Sequence, residues 1–137
     1  MNNTFSTVRR LSLVAVWGMS AQAHAGDIVV VMGAGGEPLT KDKVASVYIG
    51  RSNDFKPVDL PESSPTREAF YKKATDRDQS QIKSLWARLA FTGQARPPKL
   101  EADAEAVKKA VAADPKTIGY IDKADVDASV KVVLTLD

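Results

Sequence analysis

Ile28-Val29-Val30-Val31-Met32, closed by Gly33-Ala34-Gly35-Gly36, is the stretch on which the fold of this chain turns. Five apolar residues in succession, three of them valine, leave no polar face for water. The run therefore reads as a buried strand rather than one with a solvated side. The segments after it alternate in period. Beyond the N-cap residue Thr40, Val44, Val47 and Tyr48 recur at i, i+3 and i+4, and Gly50 stands where a short helix would stop. Lys56-Pro57-Val58-Asp59-Leu60 is a second, weaker strand that runs into the loop Pro61-Glu62-Ser63-Ser64. Ser64 then precedes Pro65, a preferred first helical residue, and Glu68 suits the positive end of the dipole, so a helix is expected through Ala74.

From Gln79 onward, Ile82, Leu85, Trp86 and Leu89 mark one helical face, with Gly93 as a stop. Arg96-Pro97-Pro98 reads as loop, and Val107, Ala110 and Val111 give a further helix that Asp114-Pro115 ends. Ile118-Gly119-Tyr120-Ile121 and Val130 to Leu136 read as closing strands. The resulting order, β-α-β-α-α-α-β-β, belongs to an α/β domain of two or three layers. There is no internal repeat or low-complexity linker, and Pro and Gly fall between periodic segments, as in one folded unit.

Ahead of the first strand, Arg9 and Arg10 are followed by an apolar stretch from Leu11 to Met19 and small residues ending in Ala23-His24-Ala25. Basic, apolar and small in that order is the pattern of a cleavable secretory signal peptide. The expected cut falls between Ala25 and Gly26, with a second choice after Ala23. The expected domains are thus a signal at 1–25 and an α/β domain at 26–137. The apolar run is about half the ~20 residues that span a bilayer, which argues against a permanent anchor.

Removing that segment changes what chemistry is open. The 137-residue chain has 19 Lys and Arg against 17 Asp and Glu; without Arg9 and Arg10 the two counts are equal, so no basic nucleic-acid footprint remains. The one histidine, His24, lies in the predicted signal, and there is no cysteine. Ser-His-Asp and Cys-His catalysis, disulfides and His/Cys zinc sites are excluded from the remainder, and an exported, soluble, periplasmic protein that is not an enzyme and carries no cofactor is expected.

One segment suggests a binding site. At Ser63-Ser64-Pro65-Thr66-Arg67, unpaired backbone N–H groups and the helix dipole favour an anion, the hydroxyls can donate, and Arg67 can add a bidentate contact. The plainer alternative is an ordinary Ser-Pro cap with a solvated arginine. Gly33 to Gly36 reads as a connection, because it lacks a Walker lysine and dinucleotide spacing. Trp86, Leu89 and Phe91 read as core rather than pocket lining, and Tyr120 as structural. Asp76/Asp78 and Asp125/Asp127 read as solvated turns, since neither pair sits in a calcium loop with its terminal Glu.

Three segments together carry a resemblance: Pro38-Leu39-Thr40 running to Val47-Tyr48-Ile49-Gly50, Ser64 to Phe70, and Ile118-Gly119-Tyr120. In order and spacing the chain resembles the phosphate-type periplasmic substrate-binding proteins of ABC transporters. The resemblance implies a single lobe of a type II periplasmic-binding-protein-like fold, with a small mixed sheet flanked by helices. It also implies a small oxyanion ligand held by Ser63, Ser64, Thr66 and Arg67. Ser64, Thr66 and Phe70 match the family loop and Glu62 stands where an acidic residue is usual. Pro65, however, replaces a glycine, and Leu60 occupies the place of a phosphate-contacting arginine, a loss that Arg67 or Arg51 would have to make good. Those receptors close two lobes on the ligand and this chain has room for one, so closure would need a second copy or a partner. A ligand-free interaction module that docks a membrane transporter or sensor is the alternative.

Overall fold

The computed structural model describes residues 26–137. The signal-peptide reading of residues 1–25 lies outside the described residues. In chain order the elements are β1 (Ile28–Met32), α1 (Lys41–Tyr48), β2 (Lys56–Asp59), α2 (Pro65–Thr75), α3 (Gln79–Phe91), β3 (Lys99–Leu100), α4 (Ala104–Ala113), β4 (Thr117–Asp122), a 3-10 turn at Lys123–Asp125, and β5 (Lys131–Leu136). Among the described residues no helix is long and apolar enough to cross a membrane.

The strands form one mixed sheet in the order β3-β2-β4-β1-β5. β1 runs antiparallel to both neighbours, whereas β2 is parallel to β3 and β4. All five residues of β1 are buried, and the geometry of β4 beside it shows why. A side chain at Gly119 would point at Val107 and Val111 of α4, while the ring of the next residue, Tyr120, stacks on Phe70 of α2 at 3.9 Å. Successive strand residues point to opposite faces, so α2 and α4 cover opposite faces of the sheet. The domain therefore has three layers. Val31, paired with Gly119, and Val30, paired with Tyr120, each meet a helix, and the continuous apolar run needs no polar side.

The helices begin where their caps dictate. Thr40 Oγ1 accepts from Lys43 N at 3.2 Å, and Asp78 and Gln81 form a reciprocal capping box on α3. Asp103 Oδ1 accepts from Ala106 N at 2.9 Å to start α4. Asp76, at φ 57°, ends α2 in the left-handed region. These contacts account for Asp76 and Asp78 as helix ends.

Two expectations need correction. The segment after Pro98 is not only loop: Lys99 and Leu100 add a parallel edge strand to β2. Two residues are too few to carry any periodicity, so only the neighbouring strand reveals it. Phe91 is not core but 93% exposed. It lies nine residues beyond Ile82, which at 3.6 residues per turn is half a turn from the buried face held by Ile82 and Trp86. Gly33 to Gly36 is a tight turn, with Gly36 N donating to Gly33 O at 3.0 Å; a side chain at Gly36 would strike Met32 Cβ at 2.8 Å.

Candidate functional site

The segment joining β2 to α2 is flanked by two cavities, and the predicted site residues divide between them. The first, of 330 Å³, opens where the starts of α2 and α4 converge. Ser63, Ser64 and Thr66 line one side, Asp103 and Ala104 another, and Asp122, which ends β4, and Asp125, in the turn after it, a third. Ser64 is the N-cap, its Oγ accepting from Arg67 N at 3.3 Å, and Pro65 fills the first helical position. Thr66 Oγ1 donates to Asp122 Oδ2 at 3.0 Å, which joins the start of α2 to the end of β4. The other carboxylate oxygen, Asp122 Oδ1, is buried without a hydrogen-bond partner among the described residues. A buried acceptor in that state costs about 1–3 kcal/mol until a donor reaches it. Among the described residues no Lys or Arg lines this cavity.

Arg67 is not brought together with Ser63, Ser64 and Thr66, and its expected contact with an anion at the helix start is corrected here. It falls on the i, i+3, i+4, i+7 stripe with Phe70, Tyr71 and Ala74, all buried, so its side chain turns under the helix. There its Nη1 donates to Leu60 O at 2.9 Å, its Nε lies 3.8 Å from Asp59 Oδ1, and the guanidinium sits 5.6 Å from the Tyr71 ring centroid. Arg51 is exposed beyond α1 and lines neither cavity. The arginine missing at Leu60 is therefore replaced by neither candidate.

The partner of Arg67, Asp59, was given no role by the sequence pattern, yet it is the hub of the interior. It accepts from Tyr71 OH, Tyr120 OH and, at 2.9 Å, its neighbour's amide, Leu60 N. Burial pushes the Asp59 carboxyl up, and the hydrogen bonds from Tyr120 and Tyr71 and the charge of Arg67 pull against that rise. Burial first, then the nearby Asp59, raises both tyrosines, so they stay protonated and donating. Tyr48 OH donates to Val58 O at 2.8 Å and reaches Ile118 O at 3.2 Å, bridging β2 to β4 beneath this network. Tyr120 thus has the structural role expected of it. The signal that could have found Asp59 is an acid set between the apolar residues Val58 and Leu60.

The second cavity, of 260 Å³, lies on the opposite flank, between α3 and the β2–β3 edge. Arg67 and Asp59 reach it from below, and Trp86, Pro98 and Leu100 form apolar walls. Trp86 is both core and lining: it is 7% exposed, and its Nε1 donates to Tyr48 O at 3.1 Å. Elsewhere, Asp127 accepts from Lys108 Nζ at 2.8 Å and from Ser129 N at 2.9 Å, which fastens the final turn to α4. Among the described residues no group of three His, Cys, Asp or Glu side chains is placed to hold a metal ion.

No family model and no curated protein matches the sequence. Solved structures do match in fold. An ABC-type phosphate transport receptor from Vibrio cholerae superposes with a TM-score of 0.61 at 16% identity, over 80% of this chain and 46% of that one. A structure described as a phosphate ABC transporter substrate-binding protein with bound phosphate, from Clostridium perfringens, gives 0.62 at 18% identity, over 80% of this chain and 45% of that one. The chain thus spans less than half the length of each receptor, and what it shares with them is the mixed α/β architecture of one periplasmic-binding-protein-like lobe.

Proposed function

We propose that this domain is an exported binding module, a single-lobe relative of transport receptors, which holds a proton-bearing oxyanion such as hydrogen phosphate in the cavity between the starts of α2 and α4. The observation that carries this reading is the pairing of opposite hydrogen-bonding needs at one place. At the two helix starts Pro65 has no N–H and the Arg67 and Ala106 amides are already held by Ser64 and Asp103. The donors left at the cavity are the Thr66 and Ala104 amides and the Ser63 and Ser64 hydroxyls, while among the described residues Asp122 Oδ1 is a buried acceptor without a donor. An anion that also carries a proton satisfies both; sulfate at neutral pH satisfies only the first. With Asp103, Asp122 and Asp125 around it and no Lys or Arg among the described residues that line it, repulsion is smallest for the singly charged dihydrogen form. Export rests on the leader pattern of residues 1–25, and a role alongside transport rests on the likeness in fold.

Thermal unfolding with added oxyanions tests the reading. At about ten times its Kd, a ligand specific for the folded state adds about 1.4 kcal/mol, which raises Tm by roughly 5 °C in a domain of this size. Phosphate should raise Tm more than sulfate, and Asp122→Asn, which supplies a donor, should abolish that preference. A Tm unmoved by either anion at millimolar concentration refutes it. That result would favour an interaction module docking a membrane transporter or sensor, for which the specific support is the exposure of Leu100 (58%) and Phe91 (93%).

A further inference from the structure

The geometry points to a second ligand site, in the cavity between α3 and the β2–β3 edge, that takes a small organic monocarboxylate with an apolar body. Arg67 is the reason. Its guanidinium has five N–H donors, yet among the described residues it makes one hydrogen bond, from Nη1 to Leu60 O at 2.9 Å. Its Nε is buried without a partner, and the 3.8 Å to Asp59 Oδ1 is too long for a hydrogen bond. The side chain is only 9% exposed, so water cannot freely supply what is missing, and the residue borders the cavity. Asp59 cannot turn to meet it, because Tyr71, Tyr120 and Leu60 N already hold both its oxygens.

The walls select the rest of the ligand. Trp86, Ile82, Pro97, Pro98 and Leu100 are apolar, whereas the other cavity is ringed by aspartates. Nε is shut off from the cavity on the Asp59 side, so the edge that would meet a planar carboxylate is the one formed by the two Nη groups, and a ring or short alkyl chain behind it would pack on Trp86 and Leu100. The charges facing the site are Arg67 and Lys83 against Asp59 and Glu62. They balance, so affinity comes from geometry and apolar burial rather than from net charge, and a Kd on the order of 1 mM is expected. This site shares no residue with the proposed oxyanion cavity and goes beyond that reading.

Nitrogen-15 NMR of the protein tests it through two reporters, the Arg67 Nε–H and the Trp86 indole N–H. Benzoate should shift both saturably. Benzamide, of the same shape without charge, and inorganic phosphate, charged without an apolar body, should each act at least tenfold more weakly. Arg67→Ala leaves a buried carboxylate unpaired and is avoided. Leu100→Asp and Lys83→Glu, both at exposed positions, place negative charge at the mouth and should each weaken benzoate severalfold while the rest of the spectrum is retained. No movement of either reporter with benzoate at tens of millimolar, equal response to benzamide, or an unchanged Kd in both variants overturns the proposal. Phosphate effects confined to Thr66 and Asp122 would support the oxyanion reading alone, so the two proposals fail separately.

Discussion

Gly119→Ala is the substitution that most directly probes how this domain positions its cavities. Gly119 lies mid-strand in β4, facing α4, and an added Cβ would come within 2.6 Å of Val107 Cγ1, 3.1 Å of Val58 Cγ2 and 3.4 Å of Val111 Cγ1. The first is a clash with a fully buried branched side chain that has one preferred rotamer in a helix, so relief requires α4 to move off the sheet. Overpacking of this kind costs about 1–3 kcal/mol, while replacing a strand glycine recovers about 0.5–1 kcal/mol of backbone entropy. The net expectation is a loss of about 1–2 kcal/mol, or roughly 4–8 °C in Tm for a domain of this size. Val107→Ala alone, which empties part of a fully buried position, should cost about 2 kcal/mol. In the double variant the clash with Val107 is gone, so the combined loss should fall short of the sum by about 1 kcal/mol. Denaturant unfolding of the four proteins measures this. Strict additivity, or a Gly119→Ala protein as stable as the parent, would refute the packing of α4 on β4 described above. Because Asp103 and Ala104 begin α4, the single variant should also weaken any oxyanion effect on Tm.

Three smaller expectations follow from single contacts. Ser64→Ala removes the cap of α2 and should lower stability by about 0.5 kcal/mol in chemical unfolding, at the low end for caps because the bond is 3.3 Å long. Lys108, then Ser129, hold Asp127 well below the usual carboxylate range. A depressed folded-state pKa contributes stability above the unfolded value of about 3.9 that is lost as pH falls below it. The Tm gap between parent and Asp127→Asn should therefore be full at neutral pH and close on acidification, whereas the contribution of Asp59, which burial raises, runs the opposite way. Phe91→Ser, at a 93% exposed position, should change stability by no more than about 0.5 kcal/mol; a larger loss would show that Phe91 is packed.

What the sequence determined by itself was local. The apolar run of β1, the i, i+3, i+4 spacing of the helices, the caps Thr40 and Ser64-Pro65, and the stops at Gly50 and Gly93 were all legible, since each depends on neighbours within a turn or a strand. The two glycines indeed take positive φ, at 80° and 71°. The order of these elements sufficed for an α/β domain, and only the resemblance made it a single lobe. What tertiary structure decided was every question of direction across the sheet. Arg67 shows this: adjacent to the serines in sequence, it is rotated by the helix onto the stripe of Phe70 and Tyr71 and paired with Asp59 from another element. Likewise Lys99-Leu100 became a strand only because β2 offered an edge, and Asp122 joined Thr66 only because β4 ends beside the start of α2. Helix spacing and capping are fixed by contacts a few residues apart. The placing of a charge inside the domain, and of a cavity between two helix starts, depends on partners as many as 61 residues away, which no window of sequence contains.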